Sequence, residues 1–284
     1  MRRTLRHLLV RQIERRSARY PESRLPAPLV VVAPHPDDEV LGCGELVRRK
    51  RAAGAPVRIV IVSDGSASHR RFIGAETLRM LRAQEALEAA ARLGVGPEDV
   101  IRLDLPDGRL GEHVGEAAAA LERIFQEYRP REVAFPHRWE RTPDHVATWE
   151  ATRRAVRGLR GVTLLEYGIW IWRVWPIVPL QGSRFLSQAR NLAGEAVPAL
   201  HLARAFNVRL AVERPDLKRH ALAAHRTQVE RPAEWPDWPV LSDVDGGLWL
   251  EALLGSAEYY RQTEVGEDRQ PAAPVHRDSV AAGV

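Results

Sequence analysis

From Leu29 onward, short runs of apolar, β-branched residues alternate with stretches whose apolar positions recur every three or four residues. The first pattern suits a buried parallel strand, the second a helix lying on a sheet. The alternation predicts strands at Leu29–Ala33, Val57–Ser63, Val100–Leu103, Val133–Pro136 and Val162–Tyr167. Helices are expected at Val40–Ala53, Ala75–Leu93, His113–Tyr128 and His145–Gly158. That order specifies an α/β fold: a Rossmann-like, mostly parallel β-sheet with helices on both faces and its ligand site at the carboxyl ends of the strands. Beyond Tyr167 the pattern loosens into a Trp- and Pro-rich segment, an expected strand near Ala203–Val212 and a helix near Pro215–Thr227. After Glu264 the apolar periodicity stops, so residues 264–284 are expected to be a disordered tail behind a domain spanning 27–263.

Charge changes the picture at one end. The 284-residue chain carries a net +5, yet residues 1–26 alone hold eight arginines against Glu14 and Glu22, which leaves the remainder slightly acidic. A broad nucleic-acid-binding face is therefore not expected. Leu5, Leu8, Leu9 and Ile13 recur at helical spacing among those arginines. The segment reads as a basic amphipathic helix, suited to peripheral contact with an anionic membrane or to docking on its own domain. No apolar run reaches the roughly 18 residues of a spanning helix. The lone cysteine, Cys43, rules out an intramolecular disulfide, and the N-terminus lacks the apolar core of a secretory signal, so a cytoplasmic location is expected.

Candidate chemistry sits where an α/β sheet binds ligands, directly after the first predicted strand. The run His35-Pro36-Asp37-Asp38-Glu39 has neither the glycines of a dinucleotide turn nor those of a phosphate loop, and its acidity favours a cation. A catalytic zinc takes three His or carboxylate ligands and keeps a position for water. His35 and Asp38 supply two such ligands, and Asp37 between them can serve as general base. The same run also suits a turn followed by an acidic helix cap. A third ligand should follow another strand, where His137 and His145 both stand after Val133–Pro136. His145 opens a helix after a Pro-Asp turn and is the preferred one; His137 also suits a surface loop.

These residues resemble the LmbE/PIG-L family of zinc-dependent N-acetylglucosaminyl deacetylases, with HPDDE matched at His35–Glu39 and its downstream HPDH met as Thr142-Pro143-Asp144-His145. Softer agreement comes from Ser63-Asp64-Gly65, Arg82-Ala83-Gln84-Glu85 and Leu105-Pro106-Asp107-Gly108. The resemblance implies that His35, Asp38 and His145 bind Zn2+, that Asp37 is the base, and that Arg82 and Asp107 hold substrate hydroxyls. Fe2+ or another divalent ion suits the same donors. Thr142 stands where the family usually has His, so proton delivery falls to His137, to the Thr142 position or to Asp37 itself. Gly44-Glu45 replaces the family's Gly-Gly. The implied activity is hydrolysis of an N-acetyl group from an N-acetylglucosamine-type sugar or glycoconjugate. The alternatives are an amidase of another acylated glycoconjugate or thiol conjugate, and an inactive metal- and carbohydrate-binding protein. Trp170, Trp172 and Trp175 suit a sugar-stacking wall, a lipid-facing lip or core.

Overall fold

The computed structural model of the chain describes residues 2–174, 176–178 and 198–265. Helix α1 (Arg2–Arg16) leads into a two-residue strand, β1 (Ala18–Arg19). The five apolar runs then form β2 (Leu29–Ala33), β3 (Val57–Ser63), β4 (Val100–Leu105), β5 (Glu132–Pro136) and β6 (Thr163–Tyr167), each parallel to its neighbour. Because successive strand side chains point to opposite faces, Leu29 and Val31 enter one apolar cluster while Val30 and Val32 enter the other. Helices α2 (Asp38–Ala52) and α3 (Ala75–Arg92) cover the first cluster; α4 (Val114–Tyr128) and α5 (Pro143–Ala155) cover the second.

Among the described residues eight strands form one sheet, in the order β1-β7-β8-β6-β5-β2-β3-β4. From β2 the chain steps outward through β3 to β4, then returns to the far side of β2 to lay down β5 and β6. The reversal opens a crevice at the carboxyl ends of β2 and β5, and the HPDDE run and His145 leave the sheet at those two ends.

The carboxy-terminal third departs from the expected pattern. The strand near Ala203–Val212 is only β7 (Val208–Ala211), and residues 198–205 are helical. The expected helix over Pro215–Thr227 divides into α6 (Pro215–Leu222) and a single turn, α7 (Arg226–Val229), because His225 leaves helical geometry at φ −78°, ψ 60°. A final strand, β8 (Ala257–Glu264), runs antiparallel to both β6 and β7, so Glu264 belongs to the sheet rather than to a tail. Its alternating polar residues hide it in the sequence. Trp175 and residues 266–284 lie outside the described residues.

The basic segment is built into the sheet. Ala18 and Arg19 pair with Val208 and Arg209, and Ile13 is fully buried. Tyr20 donates its hydroxyl to Glu132 at 2.6 Å, and Lys50 lies 2.5 Å from the same buried carboxylate. Burial pushes the Tyr20 phenol far up, and the Glu132 charge adds to the effect. Leu8 remains 57% exposed.

Candidate metal centre and active site

After β2 the chain turns through Pro36 and Asp37, and α2 begins at Asp38. Two contacts place its first turn. Gly42 lets the helix approach β6 so closely that a Cβ there would lie 2.4 Å from the Tyr167 ring. That ring is fixed by its own hydroxyl, which donates to the Val32 carbonyl at 2.8 Å. Further along, the Glu45 side chain that replaces a family glycine is buried but paired with Arg48 at 2.6 Å and accepts the Glu213 N–H at 3.1 Å.

Asp38 Oδ2 lies 3.3 Å from His35 Nδ1 and 3.2 Å from His145 Nε2. The three residues offer donor atoms within 4.8 Å of one another. The opposite nitrogen of His35, Nε2, faces Asp107 Oδ1 at 3.3 Å and Asp144 Oδ2 at 3.2 Å. Those carboxylates are themselves fixed: Asp144 accepts the Gly108 and Leu110 N–H groups at 2.7 and 3.1 Å, and Asp107 accepts that of Ala67 at 2.8 Å. A ring whose Nε2–H is held by carboxylates presents the Nδ1 lone pair to a cation.

His145 is treated in the same way. It is fully buried, and Glu140 Oε2 lies 3.3 Å from its Nδ1. Neither ring nitrogen completes a hydrogen bond. Burial opposes a charged His145, but Asp38 and Glu140 outweigh it and raise the ring to about 9. Burial likewise opposes a charged His35, and hydrogen bonds to Asp107, Asp144 and Asp38 lift it well above its ordinary value. Asp38 is pushed up by burial and down more strongly by the two rings, ending below the carboxylate range. Two imidazoles among four carboxylates, with buried nitrogens lacking an aligned partner, fit a divalent cation held by His35, Asp38 and His145.

Asp37 points elsewhere. Its Oδ2 lies 3.6 Å from the Arg82 guanidinium, and its carboxyl lines a cavity of about 610 Å³ together with His35, Asp38 and Asp107. Burial and the adjacent Asp38 charge push Asp37 up to about 7, against the pull of Arg82 and His225. Arg82 is buried, donating to the Pro36 carbonyl at 2.7 Å and the Gly65 carbonyl at 3.1 Å, so it clamps the two loops that frame the cavity. Asp107 and Thr142 line the same cavity; the Thr142 hydroxyl is buried without a partner and does not cap α5.

His137 is not among the cavity-lining residues. It is fully buried between the Trp139 and Phe206 rings, accepts the Trp139 N–H at 3.0 Å, and is lowered by burial to about 3. Trp170 lines the cavity, stacked on Trp249 at 4.6 Å, whereas Trp172 is core against Phe206. Cys43 is buried, its thiol raised by burial and by Glu258.

Three contributors escape sequence reasoning. Glu140 backs His145; Asp144 backs His35; Glu39 and His225 form a buried pair 2.7 Å apart behind Asp37. Asp144 and Glu39 carried a signal, their places in the Pro-Asp-His and His-Pro-Asp-Asp-Glu runs; Glu140 and His225 carried none.

Residues 30–156 match the family described as PIG-L, GlcNAc-PI de-N-acetylase. Over these residues the chain is similar to the PIG-L family. The chain is 32% identical over 134 residues to a probable N-acetyl-alpha-D-glucosaminyl L-malate deacetylase 2 of Bacillus cereus, spanning 45% of this chain and 60% of that protein. A Bacillus subtilis protein of the same description is 28% identical over 210 residues, covering 71% of this chain and 83% of the relative. Among solved structures, N,N'-diacetylchitobiose deacetylase from Pyrococcus horikoshii superimposes with a TM-score of 0.57 at 19% identity, covering 93% of this chain and 92% of that one. A deacetylase triple mutant of the teicoplanin biosynthetic pathway gives 0.59 at 19% identity, covering 85% of this chain and the whole of that one. The two superpositions show a shared fold.

Proposed function

We propose that the chain is a metal-dependent hydrolase that removes the N-acetyl group of an N-acetylglucosamine-type sugar or glycoconjugate, with Zn2+ as the cation. The observation that carries this reading is the convergence of His35, Asp38 and His145 on one point, with Asp37 facing the same cavity. The family match and the relatives' descriptions as amino-sugar deacetylases support the substrate class. A cation held there supplies Lewis acidity towards an amide carbonyl and an attacking water.

The chain's own groups do the rest. Asp37 takes the proton of the attacking water and is placed to return it to the departing nitrogen. His137 does not line the cavity, and Thr142 offers only a hydroxyl. Arg82 keeps Asp37 ionisable while holding the loops at Pro36 and Gly65. Asp107, besides orienting His35, faces the cavity where sugar hydroxyls would lie.

The test is to load the purified protein with zinc and offer N-acetylglucosaminyl glycosides. Acetate release is expected, and none, with metal bound, would refute the reading. A second reading is favoured by the apolar residues that line the cavity, Leu41, Ile169, Trp170, Leu241 and Trp249 among them. Such a lining suits an acyl group or aglycone more apolar than acetate or a simple sugar, and a panel of acyl chain lengths separates the two. Among the described residues no helix is long and apolar enough to cross a membrane. Contact of the basic helix α1 with an anionic surface is tested by liposome flotation of the wild type beside a variant in which the exposed Arg11, Arg15 and Arg16 are replaced by Gln, which leaves the buried Ile13 and the β1 pairing in place.

A further inference from the structure

Behind Asp37 lies a buried pair that the reaction above leaves without a role. His225 and Glu39 both have side chains at 0% exposure. His225 Nε2–H donates to Glu39 Oε1 at 2.7 Å, and Glu39 Oε2 accepts the Asp37 backbone N–H at 2.9 Å. An unbroken path therefore runs from the imidazole to the backbone of the candidate base.

That backbone needs holding. Asp37 sits at φ 126°, ψ −28°, outside the regions open to a residue with a Cβ. A strained conformation persists only where surrounding contacts over-determine it, and such residues cluster at functional sites. Here Arg82 grips the preceding carbonyl, that of Pro36, and Glu39 grips the Asp37 N–H. A buried carboxylate is costly without a charged or donating partner, and on its Oε1 side His225 is that partner.

The local geometry of His225 points the same way. The residue breaks the helix expected over Pro215–Thr227, and the break turns the ring inward across 186 residues of sequence to reach Glu39. Its other nitrogen, Nδ1, is buried with no hydrogen-bond partner. A ring kept only to fill space would not carry an unpaired nitrogen into the core.

We propose that His225 is a positioning residue which, through Glu39, holds Asp37 in its strained conformation and so aims the Asp37 carboxylate into the cavity. The kinetic part of this proposal rests on the hydrolase reading; the conformational part stands without it.

The experiment compares His225→Ala with His225→Gln, whose amide N–H can replace Nε2–H, in the full-length, zinc-loaded protein. Four quantities are measured: amide hydrogen exchange at Asp37, zinc affinity by chelator competition, and kcat and KM on the best N-acetylglucosaminyl glycoside. In His225→Ala, exchange at Asp37 should quicken at least about tenfold and kcat fall about 10- to 100-fold, the range for loss of a supporting partner. KM and zinc affinity should stay within about twofold, since the hydrogen bonds of His225 and Glu39 lead to the Asp37 backbone and not to His35, Asp38 or His145. His225→Gln should recover most of both losses. Wild-type exchange and kcat in His225→Ala would overturn the proposal. So would losses that merely follow global unfolding, with Gln no better than Ala. Exchange is read without substrate, so failure to find a hydrolysed amide counts against the hydrolase reading alone.

Discussion

Replacing Glu140 with Gln should weaken metal binding although Glu140 is not one of the three proposed ligands. Its Oε1 accepts the Ile169 and Ile171 N–H groups at 2.8 and 3.3 Å, and its Oε2 accepts that of Trp170 at 2.9 Å while facing His145 Nδ1 at 3.3 Å. An amide offers one acceptor where this position needs two. In either flip state an NH2 group opposes at least one buried N–H, at a cost of about 1–3 kcal/mol in stability. If the NH2 occupies the Oε2 position, it also meets the Nδ1–H that a cation on Nε2 requires. The His145 ring then loses both its tautomer and its orientation. Loss of such a carboxylate partner lowers metal affinity about 10- to 100-fold, or about 1.4–2.7 kcal/mol. Chelator competition against a zinc indicator gives the dissociation constant, and apo and zinc-loaded melting curves give the stability. Because zinc binds the native state, the melting-temperature gain on loading should shrink in the variant by the same free energy. A zinc affinity within twofold of wild type in a folded Glu140→Gln protein would refute the reasoning.

Asp37→Asn should retain zinc yet lower kcat about 10²- to 10⁴-fold, the usual contribution of a general base; metal content by atomic absorption beside acetate release checks both halves. Gly42→Ala should destabilise the fold by about 1–3 kcal/mol through overpacking, because the new Cβ would meet the pinned Tyr167 ring at 2.4 Å. That exceeds the roughly 1 kcal/mol that helix propensity would return, so the melting temperature should fall. For His137, burial holds the folded ring at about 3, whereas an unfolded histidine titrates near about 6.5. Between those values the unfolded chain binds a proton that the fold does not, so this residue's contribution to stability is lost as pH falls, by about 1.4 kcal/mol per unit. Urea unfolding from pH 6.5 to 5 should accordingly give a shallower loss in His137→Leu than in wild type, and parallel slopes would contradict it.

What the sequence discloses and what it hides follow from how each contact is made. The strands β2 to β6 announce themselves because each is buried on both faces, and continuous β-branched runs have few other uses. Strand β8 does not, since Glu258, Arg261 and Gln262 interrupt its apolar positions; burial there depends on partners such as Lys218, 2.8 Å from Glu258, that only the fold supplies. The donors show the same division. His35 and Asp38 share one turn, so their convergence is a local fact readable from spacing, and His145 follows because β5 lies beside β2. Glu140, Asp144 and His225 act on those residues across loops, and no period or spacing encodes a pairing such as Glu39 with His225. Arg82 is the intermediate case. Its motif marks it as important, but only the positions of Gly65 and Pro36 show that it clamps both of their carbonyls while it lines the cavity. Motif residues thus report which chemistry is assembled, while the residues that aim it are chosen by tertiary geometry. Variants at Glu140 and His225 therefore bear more directly on how this site works than further substitution of the proposed ligands.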